Sequence, residues 1–362
     1  MNAFLSWLAV VGVTVVAFGL LIVIHELGHF LAARLCGMRV DRFSVGFGPV
    51  VWARRRGETE WALSAVPLGG YVKIAGMTPG EDVAPGDRSA YCNQPAWRRF
   101  LVILAGPAAN YLAAALLGAA LLLGPGLRTA DPGPAVGRLV PGYPAEQAGL
   151  RDGDRVREVA GAPVATWEEL VSQLQAHPGR AIALRVERGE GAAATSLTLS
   201  LLPRDEGGVG RAGFEQHQLW QRSDGIAAAL AEALRRTDAL ALSQVTVFGK
   251  LFSGGKGTKL SGPIGIGQQL LRAAREGPAA FVNLLWVISA VLAVLNLFPL
   301  PALDGGRLVF LAYEVVARRR VNARIESVVH MVGFVALIAL LLGVTVFGDL
   351  DLAGRIARLG GR

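Results

Sequence analysis

An apolar stretch near the start of the chain, "LIVIHELGHFLAARL", contains two histidines and a glutamate. His25 and His29 are four residues apart, so on a helix their side chains share one face and can bind one metal ion. Glu26 lies beside them, where a carboxylate can accept a proton from water that the metal activates. This arrangement predicts a hydrolytic metal site. The alternative is a packing network of hydrogen bonds between helices, but ionisable groups inside an apolar segment are costly and favour a functional role.

A catalytic zinc ion usually has three protein ligands and one open position, so a third ligand is required. Leu35 occupies the position at which soluble metzincins have a third histidine, which excludes their pattern. We predict Asp304 as the third ligand. In "NLFPLPALDGGRL" it follows two prolines and precedes two glycines, which is typical of a broken helix beside a cavity. An ordinary N-cap of the next helix is the alternative role for this carboxylate.

Asn296 places an amide in the otherwise apolar segment before Asp304. A buried amide needs a hydrogen-bond partner. Asn296 is therefore a candidate for holding an extended substrate backbone or for stabilising an oxyanion. A plain hydrogen bond between helices is an equally good explanation.

The remaining histidines and the cysteines occur singly and show no paired-ligand spacing. We therefore expect structural roles for them, and neither a disulfide framework nor a thiolate metal site. These residues are His177, His217, His330, Cys36 and Cys92.

Four apolar segments must position the candidate site. Hydrophobic residues make up 52% of the 362 residues. Four segments reach the roughly 20 residues that a membrane-spanning helix needs, and they lie at about 4–33, 100–124, 281–300 and 327–347. The first has no basic region before it and no small-residue cleavage pattern, so we expect a retained helix rather than a signal peptide. The sequence thus predicts an α-helical polytopic membrane protein with four transmembrane helices in a lipid bilayer.

Basic residues beside these segments predict the orientation. Arginines are frequent between the first two spans, and Arg318, Arg319, Arg320 and Arg324 lie between the last two. The positive-inside rule places both connections on the cytoplasmic side and the segment at about 125–280 on the extracytoplasmic side. Because the net charge of +8 is not gathered in one soluble patch, nucleic acid is not an expected partner.

The segment between the second and third spans has two predicted parts. Residues 131–203 contain short β-type runs and a helix, "TWEELVSQLQAH", with Thr166 and Glu169 as a capping box, which predicts an inserted α+β domain. Residues 204–280 are predicted as a connector that contains an interfacial amphipathic helix at 224–252. The membrane units on either side are then residues 1–124 and 281–362.

Part of the inserted domain, "YPAEQAGLRDGDRVREVAGAPV", resembles the PDZ family. PDZ domains bind an extended peptide as an added strand at a sheet edge. The resemblance therefore implies a peptide or a substrate ectodomain as partner. A spacer or gate above the membrane site is the alternative.

The loop after the first span contains a nearly uncharged, β-prone stretch, "PLGGYVKIAG". A strand of this kind can enter the bilayer as a re-entrant β-hairpin where protein or water satisfies its backbone. An ordinary hairpin in a small cytoplasmic sheet is the alternative.

Taken in order along nearly the whole chain, the motifs resemble one family. They are "HELGHF", "GFG", "GGYVKI", "AGPAANYL", a PDZ-like insert, "SGPIGI" and "NLFPLPALDGG". This set is similar to that of the site-2 protease family of intramembrane zinc metalloproteases, of the bacterial regulator of sigma-E protease type. The chain departs from longer enterobacterial members in having one PDZ-like domain where they have two.

The resemblance implies roles for individual residues. His25, His29 and Asp304 would bind one Zn²⁺ ion per chain and Glu26 would be the catalytic base. The implied substrate-binding residues are Asn296, Pro299 and Pro301 in one loop and Gly69, Gly70, Tyr71, Val72, Lys73 and Ile74 in a strand that pairs with unwound substrate. The implied location is the bacterial cytoplasmic (inner) membrane, with the active site open toward the cytoplasm.

The expected function is therefore an intramembrane zinc endopeptidase that cleaves single-span membrane proteins. The resemblance implies an anti-sigma factor that is already clipped, or remnant signal peptides, as substrates. A metal transporter is a weaker alternative, because the sequence shows no internal repeats. A catalytically inactive scaffold that binds membrane partners through the PDZ-like domain is the other, and the presence of Glu26 argues against it.

Overall fold

The computed structural model describes residues 2–84, 86–189, 194–252 and 262–349. The chain forms two compact units, one of Met1–Gly124 with Ser223–Arg362 and one of Pro125–Arg222. The helices are α1 (Asn2–Leu35), α2 (Ala96–Leu123), α3 (Pro144–Gln147), α4 (Trp167–Gln175), α5 (Ile226–Phe252), α6 (Pro263–Glu276), α7 (Pro278–Leu297), α8 (Asp304–Ala317) and α9 (Ala323–Gly343).

The strands follow the same chain order. They are β1 (Val40–Arg56), β2 (Thr59–Ile74), β3 (Leu127–Ala130), β4 (Val136–Leu139), β5 (Arg155–Val159), β6 (Ala162–Pro163), β7 (Ile182–Arg188), β8 (Thr195–Leu201), β9 (Arg204–Asp205), β10 (Gly210–Arg211), β11 (Phe214–Gln216) and β12 (Gln218–Gln221).

Within the described residues, four helices are long and apolar enough to span a membrane: Leu8–Leu35, Ala96–Leu123, Pro278–Leu297 and Ala323–Val346. This confirms the prediction of a polytopic membrane protein with four spans. The third helix ends three residues earlier than predicted. Phe298 has an extended backbone with φ −62° and ψ 142°, because the residue before a proline disfavours the helical conformation.

The membrane helices pack closely because small residues lie where they meet. A Cβ atom at Gly28 would lie 2.2 Å from the carbonyl oxygen of Ala105, so α1 and α2 approach each other with no room for a side chain. Helix α7 is joined to α2 by the Ser289 hydroxyl, which donates a hydrogen bond of 2.8 Å to the carbonyl of Asn110. These contacts fix α1, α2 and α7 around one interior.

Helix α5 covers the segment that was predicted to be an amphipathic helix. Its apolar side is packed inside the unit, since Ala229, Ala233 and Thr237 are fully buried. Trp286 of α7 donates a hydrogen bond from Nε1 to Thr237 Oγ1 at 3.0 Å. At least one face of α5 therefore rests on protein. The glycine-rich connector at 253–261 lies outside the described residues.

Strands β1 and β2 form a long, bent antiparallel hairpin. Val45 pairs with both Leu63 and Gly70, so the first half of β1 lies between two stretches of β2. The chain turns at Gly46, where φ is +90° and a Cβ atom would lie 2.8 Å from the carbonyl oxygen of Val66. Only glycine fits this bend. The bend brings the last stretch of β2 to the side of β1 opposite its first stretch.

The surface of this hairpin carries exposed apolar side chains. Val51 is 68% exposed and Trp52 54%, and Phe47, Leu63 and Val66 are also exposed. Clustered exposed apolar groups mark a surface that contacts something other than bulk water.

The unit Pro125–Arg222 is built around a four-stranded antiparallel sheet of order β6-β5-β7-β8. Leu170 and Leu174 of α4 are buried against Leu184 and other apolar residues of this sheet. The predicted capping box is confirmed, because the Thr166 side chain accepts from the backbone of Glu169 and the Glu169 side chain accepts from the backbone of Thr166.

Three further strand pairs belong to the described part of this unit. β3 pairs with β12, β4 pairs with β11 and β9 pairs with β10. The unit therefore includes residues 204–222, which the sequence analysis grouped with the connector.

Candidate metal centre

Three side chains from two distant parts of the sequence converge at one point. Nε2 of His25 and Nε2 of His29 are 3.2 Å apart. Oδ2 of Asp304 lies 3.0 Å from the first and 3.2 Å from the second. The three atoms thus form a nearly equilateral triangle, and no other group of three described His, Cys, Asp or Glu side chains has ligand atoms this close together.

A tight loop delivers Asp304 to the histidines. Asp304 is the first residue of α8 and Leu303 is the N-cap, which has no side-chain capping hydrogen bond. Asp304 therefore does not serve as the N-cap. The loop folds back on the first turn of α8, because Cβ atoms at Gly305 and Gly306 would lie 2.0 and 2.5 Å from the carbonyl oxygens of Phe298 and Leu300. The two glycines are needed for this close approach.

The surroundings of His29 fix its tautomer. Its Nδ1 lies 2.7 Å from the carbonyl oxygen of Val102 in α2. Because a carbonyl can only accept a hydrogen bond, Nδ1 carries the proton and the lone pair of Nε2 faces the triangle. Metal-binding histidines are commonly oriented in this way by a second hydrogen bond.

Two residues near the histidines were not singled out from the sequence. The side-chain amide of Asn110 lies 3.3 Å from Nδ1 of His25 and is 1% exposed. A Cβ atom at Gly106 would lie 2.3 Å from Nε2 of His29. Both belong to "AGPAANYL", which had contributed to the family resemblance. That motif was the available signal, but it gave no role to either residue.

The donor set fits a zinc ion. Two imidazole nitrogens and a carboxylate oxygen facing one another repel unless a cation or a proton lies between them. Oδ2 of Asp304 is buried and forms no hydrogen bond within the described chain. Ligands about 2.0–2.2 Å from a tetrahedral zinc ion are roughly 3.3–3.5 Å apart, close to the separations of 3.0–3.2 Å here.

The triangle lies in the wall of a cavity of about 390 Å³. Glu26 lines the same cavity and is close enough to interact electrostatically with both histidines and Asp304. Asn296 also lines it, and its side chain has no hydrogen-bond partner among the described residues. The interhelical hydrogen bond considered for Asn296 is therefore not found.

The structure separates the predicted substrate-binding residues into two groups. Tyr71, Val72 and Ile74 line the cavity with Asn296. A Cβ atom at Gly70 would lie 3.7 Å from Cγ of Glu26. This end of β2 therefore borders the candidate catalytic glutamate.

The others do not line the cavity. Pro301 packs against Gly333 of α9, and Gly69 packs against the ring of Phe47. The Lys73 ammonium points to Glu81 at 3.9 Å. Pro299 is likewise absent from the cavity wall.

Comparison with known sequences identifies the family. The sequence model of Peptidase family M50 matches residues 13–340. The chain belongs to peptidase family M50. The match includes both histidines and Asp304 and thus both sides of the metal centre. This M50 peptidase is a metalloprotease, as the sequence predicted.

Curated relatives of this M50 peptidase agree with that assignment. A protein of Rhizobium meliloti (strain 1021), named as a zinc metalloprotease, is 34% identical, covering 91% of this chain and 92% of the relative. The Regulator of sigma-E protease RseP of Escherichia coli (strain K12) is 30% identical, covering 92% of this chain and 97% of the relative. A Nostoc protein, also named as a zinc metalloprotease, is 33% identical, covering 90% of this chain and 91% of the relative. The predicted relationship to site-2 type intramembrane proteases is confirmed.

Proposed function

We propose that His25, His29 and Asp304 hold the catalytic zinc ion of this intramembrane protease and that Glu26 is its general base. The observation that carries this proposal is the triangle of Nε2, Nε2 and Oδ2 atoms with edges of 3.0–3.2 Å. Zinc is also the metal that the names of the Rhizobium and Nostoc relatives give.

Bound zinc supplies Lewis-acid activation of water and of the scissile carbonyl. Glu26 accepts a proton from the attacking water, whose oxygen joins the carbonyl carbon, and it passes that proton to the leaving amine nitrogen as the C–N bond breaks. Asn296 has an amide free to donate a hydrogen bond to the substrate, either to its extended backbone or to the developing oxyanion. The products are one carboxylate and one amine.

The substrate is proposed to be a transmembrane segment of another protein, unwound at the cut. A helix hides its peptide groups in internal hydrogen bonds, and these groups need new partners once the helix is opened. Tyr71, Val72 and Ile74 of β2 line the cavity, and this end of the strand would offer such partners by adding the substrate as a strand. Pro299 and Pro301 act through the shape of the loop, since neither lines the cavity.

We propose that the β1–β2 hairpin is re-entrant. The exposed apolar side chains Val51, Trp52 and Val66 support this, because they suit lipid better than water. In the inner membrane, the active site would open toward the cytoplasm and the inserted unit would lie on the extracytoplasmic side, as the distribution of basic residues favours.

The inserted unit is proposed to be a PDZ-like domain. Its sheet and capped helix α4 support an α+β fold, and its role would be to bind a peptide or to exclude bulky ectodomains. The name of the E. coli relative connects that protein to the regulation of sigma-E, and an anti-sigma factor that is already clipped is the first proposed substrate class here. Remnant signal peptides are the second proposed class.

The proposal is tested with purified protein in detergent and a model single-span substrate. Glu26→Gln should retain one zinc ion per chain and lose cleavage by about 10²-fold or more, because the proton acceptor is gone. Asp304→Asn should lose zinc as well as cleavage. Glu58→Gln is the matched control, since Glu58 is an exposed carboxylate paired with Arg34 at 3.1 Å.

Two results would contradict this assignment. One is undiminished cleavage by Glu26→Gln. The other is a wild-type protein that holds zinc but cleaves none of a panel of clipped spans, which would favour a scaffold.

A further inference from the structure

Arg307 lies where two cavities meet. It is one helical turn after Asp304 on α8 and lines the cavity of the metal centre. It also lines a second cavity of about 400 Å³, and Met77 is the other residue common to both. Since residues three apart on a helix share a face, the guanidinium and the Asp304 carboxylate extend from the same side of α8.

The neighbouring cationic side chains already have partners. Arg99 forms two hydrogen bonds of 2.7 and 2.8 Å with Glu314, and Arg320 lies 3.4 Å from the same carboxylate. Lys73 is 3.9 Å from Glu81.

Arg307, by contrast, has neither a hydrogen bond nor an ion pair in the part of the chain that the structure describes, although it is half-buried. Glu326, on the wall of the second cavity, interacts with it electrostatically without forming an ion pair.

Partial burial removes some of the water that solvates a guanidinium, and this costs free energy when no protein group replaces the lost hydrogen bonds. Its planar group matches a carboxylate, which it can bind through two parallel hydrogen bonds. The reaction of this enzyme supplies carboxylates in two ways: the substrate can carry an acidic side chain near the cut, and hydrolysis itself creates a new C-terminal carboxylate.

We propose that Arg307 forms a carboxylate-binding subsite beside the metal centre. It binds an acidic side chain of the substrate or the C-terminal carboxylate that cleavage creates. The inference rests on the proposed metal centre, because it takes the scissile bond to lie at Asp304 and the two histidines. It deepens that proposal by naming a charge preference for the substrate.

The first arm of the test measures the substrate preference. Matched single-span substrates carry Glu or Gln at each position near the cut in turn, and kcat/KM is measured for each pair. At one position the wild type should prefer Glu by about tenfold or more, the effect expected of a charge-assisted hydrogen bond. Arg307→Gln should abolish that preference and Arg307→Lys should retain part of it. Arg324→Gln, a basic residue outside both cavities, should leave it unchanged.

The second arm measures product binding. Peptides that end at the cut as a free carboxylate or as an amide are compared as inhibitors. If Arg307 takes the product carboxylate, the acid should inhibit the wild type about tenfold more strongly than the amide, and this difference should vanish in Arg307→Gln. If a preference appears in the first arm alone, Arg307 binds an acidic side chain of the substrate. If it appears in the second arm alone, Arg307 binds the C-terminal carboxylate of the product.

Zinc content separates this proposal from the one on which it rests. Arg307→Gln should bind one zinc ion and still cleave substrates without an acidic residue, whereas failure of the metal-centre proposal would appear as undiminished cleavage by Glu26→Gln. If Arg307→Gln does not fold, the wild type and Arg307→Lys still decide the question. A wild type with no preference in either arm, or a preference that survives in Arg307→Gln, overturns the proposal.

Discussion

The backbone amide of Ala302 donates a hydrogen bond to Nδ1 of His330 at 3.0 Å. This bond joins α9 to the loop that ends at Asp304. Ala302 has a φ of +75°, a conformation that an alanine adopts only when its surroundings hold it there. The same loop contacts α9 at Gly333, where a Cβ atom would lie 2.2 Å from Cβ of Pro301. The fourth membrane helix therefore holds the loop that positions Asp304, the proposed third metal ligand.

We expect His330→Ala to weaken zinc binding. Without its acceptor the Ala302 amide is unsatisfied and the strained loop can relax, which moves Asp304 away from the histidines. Loss of an orienting contact of this kind typically lowers metal affinity by about 10–100-fold. Competition with a chelator measures the affinity directly. His177→Ala, in the other unit, is the control, and equal zinc affinity in the two variants would contradict the role of His330.

A second prediction concerns Asn110. Zinc at the proposed site would require Nε2 of His25 to be unprotonated, so Nδ1 would carry the proton. The Asn110 amide, whose Nδ2 lies 3.3 Å from Nδ1, would then turn so that its Oδ1 accepts that proton in a hydrogen bond. Asn110→Ala should then lower zinc affinity by about 10–100-fold, whereas Asn110→Asp, which keeps an acceptor, should retain much of it. Asn93→Ala is the control, because Asn93 donates to the Asp87 carbonyl at an exposed site. Unchanged zinc affinity in Asn110→Ala would show that His25 is oriented by other contacts.

A third prediction tests the close packing of α1 against α2. Gly106→Ala should reduce zinc binding and cleavage together, because its Cβ would lie 2.3 Å from Nε2 of His29 and 2.8 Å from Cε1 of His25. Gly12→Ala is a matched control on α1, since a Cβ atom there meets nothing within 4 Å. We expect the control to bind zinc normally. A normal zinc content in Gly106→Ala would mean that the histidines do not occupy the position described.

The parts of the site that the sequence could predict are those set by local spacing. His25, Glu26 and His29 lie within two turns of one helix, so their shared position follows from helical geometry alone. Asp304 could be proposed because a carboxylate between prolines and glycines is unusual in an apolar segment. The structure brings all four to one cavity, and their catalytic roles stay predictions.

Other features depended on tertiary packing and were not visible in the sequence. Asn110 and Gly106 acquire their positions only when α2 lies against α1, and nothing in their own spacing indicates a site. His330 was assigned a structural role, but the loop it holds could not be named before α9 was placed. In the inserted unit, β9 to β12 are only two to four residues long. Strands this short carry too little periodicity to be recognised, so they were grouped with the connector.

A final prediction concerns pH. The hydrogen bonds from Arg99 lower the pKa of Glu314 below its usual value. A carboxylate whose pKa is lower in the folded protein stabilises the fold above its unfolded pKa of about 4.3, and this stabilisation is lost as the pH falls through the folded value. Glu314→Gln should therefore melt at a lower temperature than the wild type at pH 7, also because it leaves the buried Arg99 without its charged partner. The difference between the two melting temperatures should shrink as the pH falls below about 5.

Glu187→Gln breaks an exposed pair with Arg157 and should change the melting temperature little at either pH. A difference between wild type and Glu314→Gln that is the same at both pH values would show that the ion pair does not link α8 to α2 in the way described.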